Sequence, residues 1–158
     1  MPAIIERFPE AQRRFNENYY GTREHDLADP QHRLGFATPS HDPGYIEAHA
    51  KEYIKYADGK KGELNVHEFG GADGIFAKGF MNYLETRAPD IYNRTHYNLW
   101  DKSKVLLKYA KKELEHHKKV KIWNHDVENL ANLHFDNSAD FIYCHELFDD
   151  LPTRIAVK

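Results

Sequence analysis

The sequence predicts an α/β fold, a parallel sheet with helices in its crossovers. Three observations carry it. From residue 63 onward, short runs rich in β-branched and aromatic residues alternate with segments of helical period. The first such run ends in a glycine-rich turn, and the second ends in an acidic residue. Strands separated by helices pair in parallel through right-handed crossovers, which gives a doubly wound sheet.

Each element follows from local pattern. Phe8 to Tyr20 reads as a short helix with Phe8, Ala11, Phe15 and Tyr19 on one face. Gly21 to Gly44, broken by Pro30, Pro39 and Pro43, reads as loop. Pro43 to Ala57 reads as a second helix, its stripe formed by Tyr45, Ile46, Ala50, Tyr53, Ile54 and Ala57 and its end marked by Asp58-Gly59. A turn over Gly59 to Gly62 leads into the first strand, Glu63 to Phe69. An apolar helix from Ile75 to about Leu84 stops before Pro89. His96 to Trp100 is the second strand, followed by Asp101 and a helix from about Ser103 to His116. Val120 to Trp123 is the third strand, Val127 to Leu133 a weaker helix or loop, and Ala139 to Cys144 the fourth strand. The division expected is a helical extension over 1–60 and a sheet-bearing core over 61–158.

Composition bounds the function. With 158 residues the chain has the length of one domain. It is polar, with a mean hydropathy of −0.80. Yet 10 Tyr, 9 Phe and 2 Trp supply large surfaces to bury, which argues against disorder. No run approaches the 18 or so apolar residues of a membrane helix. A net charge of −3 gives no global attraction to nucleic acid or anionic lipid. Cys144 is the one cysteine, so an internal disulfide and a cysteine-based zinc cluster are excluded, and with no signal pattern at the start a cytoplasmic location is expected.

The chemistry concentrates at three turns. Val66-His67-Glu68-Phe69-Gly70-Gly71-Ala72-Asp73-Gly74 joins the first strand to the first core helix, where open α/β sheets bind ligands. A dinucleotide fingerprint starting at Gly70 requires glycine at 72 and 75, where Ala72 and Ile75 stand. The spacing Glu68-x-Gly70-x-Ala72-x-Gly74 instead resembles the first motif of class I S-adenosylmethionine (SAM) methyltransferases, with Ala72 in place of the middle glycine. A turn that merely closes the strand–helix corner is the alternative. Asp101, at the end of the second strand, can accept hydrogen bonds from two ribose hydroxyls or can cap the next helix. Asp126, just past the third strand, can accept from the adenine amino group or can be a surface aspartate.

The third turn is Tyr143-Cys144-His145-Glu146-Leu147-Phe148-Asp149-Asp150-Leu151-Pro152. Glu146-x-x-Asp149-x-Leu151-Pro152 resembles the Asn-Glu-x-x-Asp-Ala-Leu-Pro signature of the MidA-like methyltransferases, the complex I assembly type. His145 replaces the signature's Asn, and Asp150 its Ala. Phe36-Ala37-Thr38-Pro39 with Tyr45, and Tyr19-Tyr20-Gly21, are similar to amino-terminal segments of the same family. The resemblance spans about residues 19–155. It implies a Rossmann-like class I core with SAM as cofactor. Glu68, Gly70, Ala72 and Gly74 would flank the methionine part, Asp101 the ribose and Asp126 the adenine. It also implies catalytic roles for Glu146 and Asp149, facing the methyl group, and a protein substrate modified on arginine. A guanidinium is cationic and a poor nucleophile, so a carboxylate that orients it suits that chemistry.

Other signals weigh less. His145-Glu146-Leu147-Phe148-Asp149 is close to the zinc motif H-E-x-x-H, but Asp149 occupies the second histidine's place, and no metal is expected. His116 and His117, being sequential, are expected on different helix faces. Eight lysines between Lys102 and Lys121 can track phosphates, but a solvated helix face opposite Leu106, Leu107, Ala110 and Leu114 is the plainer reading. A binding or assembly module of SAM-type fold without catalysis is the first rival function. A nucleic-acid methyltransferase or a nicotinamide enzyme comes after it. Four strands suggest the front part of a larger methyltransferase, its open sheet edge covered by a partner chain, a second copy or further residues.

Overall fold

The computed structural model describes residues 8–22, 38–132, 139–147 and 151. Four strands form one sheet: β1 (Leu64–Phe69), β2 (Thr95–Asp101), β3 (Val120–Asn124) and β4 (Phe141–Cys144). Their order is β3-β2-β1-β4, all parallel. The chain steps outward from β1 to β3 and then returns to the other side of β1. That reversal is a topological switch point, the Rossmann-like arrangement in which a crevice opens at the carboxyl ends of β1 and β4. Asp140 guides the return: its N–H donates to the Asn65 carbonyl at 2.8 Å and its Oδ2 accepts from the Asn65 N–H at 2.9 Å.

Among the described residues, five helices accompany the sheet: α1 (Phe8–Thr22), α2 (Pro43–Ala57), α3 (Ile75–Arg87), α4 (Pro89–Arg94) and α5 (Lys104–Glu113). Asp42 caps α2, its Oδ1 accepting from Tyr45 N–H at 2.8 Å, with Pro43 in the first turn. Ser103 caps α5 by accepting from Leu106 N–H at 3.2 Å. The sequence reading has no counterpart to α4. Pro89 stops one helix as expected, but its fixed φ also starts the next, as proline does in a first turn.

Alternation along the strands sends Val66, Glu68, Tyr97, Leu99 and Tyr143 to one sheet face, where Ala50 and Tyr53 of α2, Phe76, Phe80 and Leu84 of α3 and Leu107 of α5 pack on the apolar members. Tyr53, fully buried, places its hydroxyl 2.9 Å from that of Thr95. The second helix of the extension is thus built into the same core as the sheet. The other face carries a stack: Trp100 lies on His67 and on Trp123, with ring centroids 5.9 and 5.1 Å apart. The indole N–H groups of Trp100 and Trp123 donate to His67 Nδ1 and Asn98 Oδ1, both at 3.1 Å. The lysines of α5 point outward, with Lys104, Lys108, Lys111 and Lys112 exposed opposite buried Leu106, Leu107 and Ala110. No helix among the described residues is long and apolar enough to cross a membrane.

Candidate functional site

The site is built on the turn after β1. Gly70 and Gly71 both donate their N–H groups to the Trp100 carbonyl, at 2.8 and 3.1 Å, so the turn is tied to the end of β2. Gly71 is the sterically strict position: a Cβ there would lie 2.4 Å from Leu99 Cγ and 3.0 Å from Glu68 Oε2. The neighbouring Ala72 has a φ of 46°, a left-handed conformation that costs a residue with a Cβ about 1 kcal/mol. Asp101 holds it there, Oδ2 accepting from Ala72 N–H at 3.0 Å while Oδ1 accepts from Ser103 N–H at 2.7 Å. The side chain that the sequence offered as ribose acceptor or cap therefore supports the turn and leads into α5. An ionised carboxylate has about four acceptor positions, so two remain for a ligand. Gly74 lies beyond the lining of the cleft, its absent side chain making room for Ala110 of α5, 3.0 Å from a Cβ built there.

A cleft of about 940 Å³, open mouth included, lies at the carboxyl ends of β1, β2 and β4. Glu68, Gly70, Ala72, Asp101, Asp126 and Glu146 all line it. Asp149 lies outside the described residues, as do Phe36, Ala37, Asp150 and Pro152. Asp126 also caps the short 3-10 turn Val127–Asn132, accepting from Glu128 N–H at 3.0 Å. From α1 come Asn16, which is buried, and Tyr20, whose carbonyl accepts from the Ser103 hydroxyl at 2.8 Å.

Several lining residues went unread as site residues in the sequence, because their partners are far along the chain. Thr38, next to the 3-10 turn Pro39–His41, donates its hydroxyl to Glu146 Oε2. His41 Nε2 is 3.2 Å from Asp73 Oδ1, a carboxylate only 1% exposed. Tyr45 O–H lies 3.1 Å from His145 Nδ1, and the His145 ring rests 4.1 Å from that of Phe76. Three residues of the extension therefore hold three residues of the cleft. Glu146 sits at a φ of 46°, strained like Ala72 and at the same rim.

Electrostatics follow from burial. Among the described residues, five carboxyl groups line the cleft (Glu68, Asp73, Asp101, Asp126, Glu146), against one lysine, Lys102. Glu68 is 2% exposed beneath the turn, and burial pushes its carboxyl up to about 8, although the Tyr97 hydroxyl donates to it at 3.0 Å. It is protonated at neutral pH. Asp101 is likewise raised, chiefly by burial, with its backbone N–H donors opposing. Burial, then His49, lowers His145 to about 4, so its ring is neutral. Its Nε2 is buried without a hydrogen-bond partner among the described residues.

Residues 50–158 match the model of the family Methyltransf_28, whose description is "Putative S-adenosyl-L-methionine-dependent methyltransferase". The chain belongs to this family. No curated protein matches it. Among solved structures, a CurJ carbon methyltransferase is 16% identical over 76% of this chain and 35% of its own, with a TM-score of 0.45. An O-methyltransferase family protein from Burkholderia thailandensis is 12% identical over 80% of this chain and 40% of its own, with a TM-score of 0.35. The chain thus spans between a third and two fifths of the length of these two proteins.

SAM is the cofactor of Methyltransf_28, and the cleft of this member fits it. Gly70 and Gly71 let the turn close tightly under the cleft, since a Cβ there would press on Leu147 or Leu99. The carboxyl-rich lining suits a sulfonium cation, and the spare acceptor positions of Asp101 and Asp126 suit hydroxyl and amino donors.

Proposed function

We propose that this chain is the cofactor-binding part of a MidA-like methyltransferase that modifies a protein side chain, an arginine. The observation that carries the reading is the convergence of the Gly70–Gly71 turn, Asp101, Asp126 and Glu146 on one cleft at the switch point of the sheet. Asp101 accepts from the ribose hydroxyls and Asp126 from the adenine amino group, while Glu68, Gly70 and Ala72 shape the methionine end and Gly74 packs their turn against α5. Bound SAM supplies a methyl group activated by its sulfonium. The carboxylate of Glu146, fixed by Thr38, orients an incoming guanidinium and offsets its charge, and Asp149 is assigned a role in the same step by the family resemblance. A second reading, a SAM-fold assembly or interaction module without catalysis, draws on Ala72, the departure from the glycine motif.

Methyl transfer to a candidate arginine-bearing protein separates the two. Glu146→Gln and Asp149→Asn each lower the rate by about a hundredfold or more while affinity for S-adenosylhomocysteine is kept, the pattern of an interaction made mainly in the transition state. Unchanged rates in both variants overturn the catalytic assignment. Cofactor binding with no transfer to any protein favours the assembly module. The same reading has the outer edge of β4 covered by a partner chain or a second copy. A chain that stays monomeric by size-exclusion chromatography with light scattering removes the second copy.

A further inference from the structure

A second cluster of donor groups lies at the opposite end of the sheet. α3 starts at the carboxyl end of β1 and runs back, so Glu85 near its end sits at the amino-terminal side of the strands. α5 ends at Glu113, not at His116 as its sequence pattern suggests. His116 and His117 therefore fall in the turn before β3 and do not diverge on a helix. Their ring centroids are 3.7 Å apart. One donor atom from each of Glu85, His116 and His117 lies within 4.8 Å of the other two.

We propose that Glu85, His116 and His117 bind a zinc-type divalent cation, which fastens the end of α3 to the turn between α5 and β3. Two imidazoles and a carboxylate are a donor set that Zn²⁺ takes with water in the fourth position. Mg²⁺ and Ca²⁺ prefer oxygen-only sets. Metal–ligand bonds near 2.1 Å at tetrahedral angles put donor atoms about 3.4 Å apart, so the spread, within 4.8 Å, closes by up to about 1.4 Å. Glu85 and His116 are both exposed, and the adjustment rotates His116 away from Asn82 Oδ1, 3.3 Å from its Nε2, and Glu85 away from the Tyr92 hydroxyl.

His117 is the independent support. It is 2% exposed, and its Nε2 is buried with no hydrogen-bond partner among the described residues. Its Nδ1 lies 2.9 Å from the Tyr92 hydroxyl of α4. When Nδ1–H donates to that oxygen, Nε2 carries the lone pair, the arrangement by which metal-binding histidines are oriented. Lys78, a cation close enough to act on His117, is held by Glu113 at 2.7 Å.

Calorimetric titration of Zn²⁺ into the untagged, chelator-treated chain tests this, with Co²⁺ absorption as a readout of tetrahedral geometry. One equivalent binds, the melting temperature rises on binding, and Mg²⁺ does neither. Glu85→Gln and His116→Ala, both at exposed positions that leave the fold intact, each weaken binding by about tenfold or more. His117→Gln abolishes it if that variant folds. No saturable binding, Zn²⁺ affinity unchanged in both exposed-site variants, or equal binding of Mg²⁺ overturns the proposal.

Discussion

The two ends of the sheet are built to different rules. Around its amino-terminal end, polar groups are matched, His117 Nε2 excepted. Thr95 receives the Tyr53 hydroxyl and donates to the Ile91 carbonyl at 2.7 Å, Arg94 reaches the Ala57 carbonyl at 2.8 Å, and Asn65 and Asp140 exchange hydrogen bonds. Around the carboxyl-terminal end, Ala72 and Glu146 are left-handed, five carboxyl groups share a cleft, and His145 Nε2 has no partner among the described residues. Such features cost stability and persist where the surroundings hold them in place, which marks the carboxyl end as the ligand end.

Gly71→Ala gives the sharpest break between the two ends. The added methyl meets Leu99, and overpacking of this kind costs about 1–3 kcal/mol. The larger expected effect is on S-adenosylhomocysteine affinity, which falls by about a hundredfold or more, roughly 3 kcal/mol in calorimetry. Tyr53→Phe does the reverse: thermal unfolding shows a loss of about 1–2 kcal/mol, from the Thr95 oxygen that no longer receives the Tyr53 hydroxyl, while ligand affinity is unchanged. If Tyr53→Phe weakens ligand binding as much as Gly71→Ala does, the two ends are not separable.

The pH dependence of stability reads the same contrast. The Glu68 carboxyl ionises near 4.5 in the unfolded chain but holds its proton to about 8 when folded. The folded state then binds more protons across that window, and stability falls as pH rises through it. His117 and His145, both lowered to about 4, act in the opposite sense: stability falls as pH drops from about 6.5 toward 4. Only the Glu68 effect remains between about pH 6.5 and 8. Denaturant unfolding of Glu68→Gln over that interval is expected to lose the decline seen in the parent chain. A slope unchanged by the substitution contradicts the assignment.

Two smaller effects refine the rim. Thr38→Val removes the hydroxyl that holds Glu146, so methyl transfer drops by about tenfold with cofactor affinity kept, in line with loss of one hydrogen bond to a charged group. Ala72→Gly relieves the left-handed strain at the cost of a freer unfolded chain, for a net gain of less than about 1 kcal/mol in thermal unfolding.

Strands and long helices were legible in the sequence because burial imposes its period on them. Pro43 to Ala57 matches α2, and the four strands fall where alternating runs place them. What escaped was either ambiguous punctuation or contact at a distance. Pro89 reads equally as a stop and as a start, so α4 was invisible. Gly71 lies beside the motif glycines, and its strictness comes from Leu99, 28 residues on by number. The pairs Thr38–Glu146, His41–Asp73 and Tyr45–His145 are separated by 108, 32 and 100 residues, beyond any local pattern. For Asp101 the sequence posed two alternatives, cap or ligand. The carboxylate accepts from backbone on both oxygens and still lines the cleft.

Asp101 is therefore the residue on which the account turns. Calorimetric titration of S-adenosylhomocysteine into the chain and its Asp101→Ala variant, with circular dichroism to show that both are folded, is the most direct measurement. The account predicts saturable binding by the parent chain, with Asp101→Ala weaker by about a hundredfold or more. Equal affinity in the two chains, or binding of NAD in place of S-adenosylhomocysteine, would contradict it.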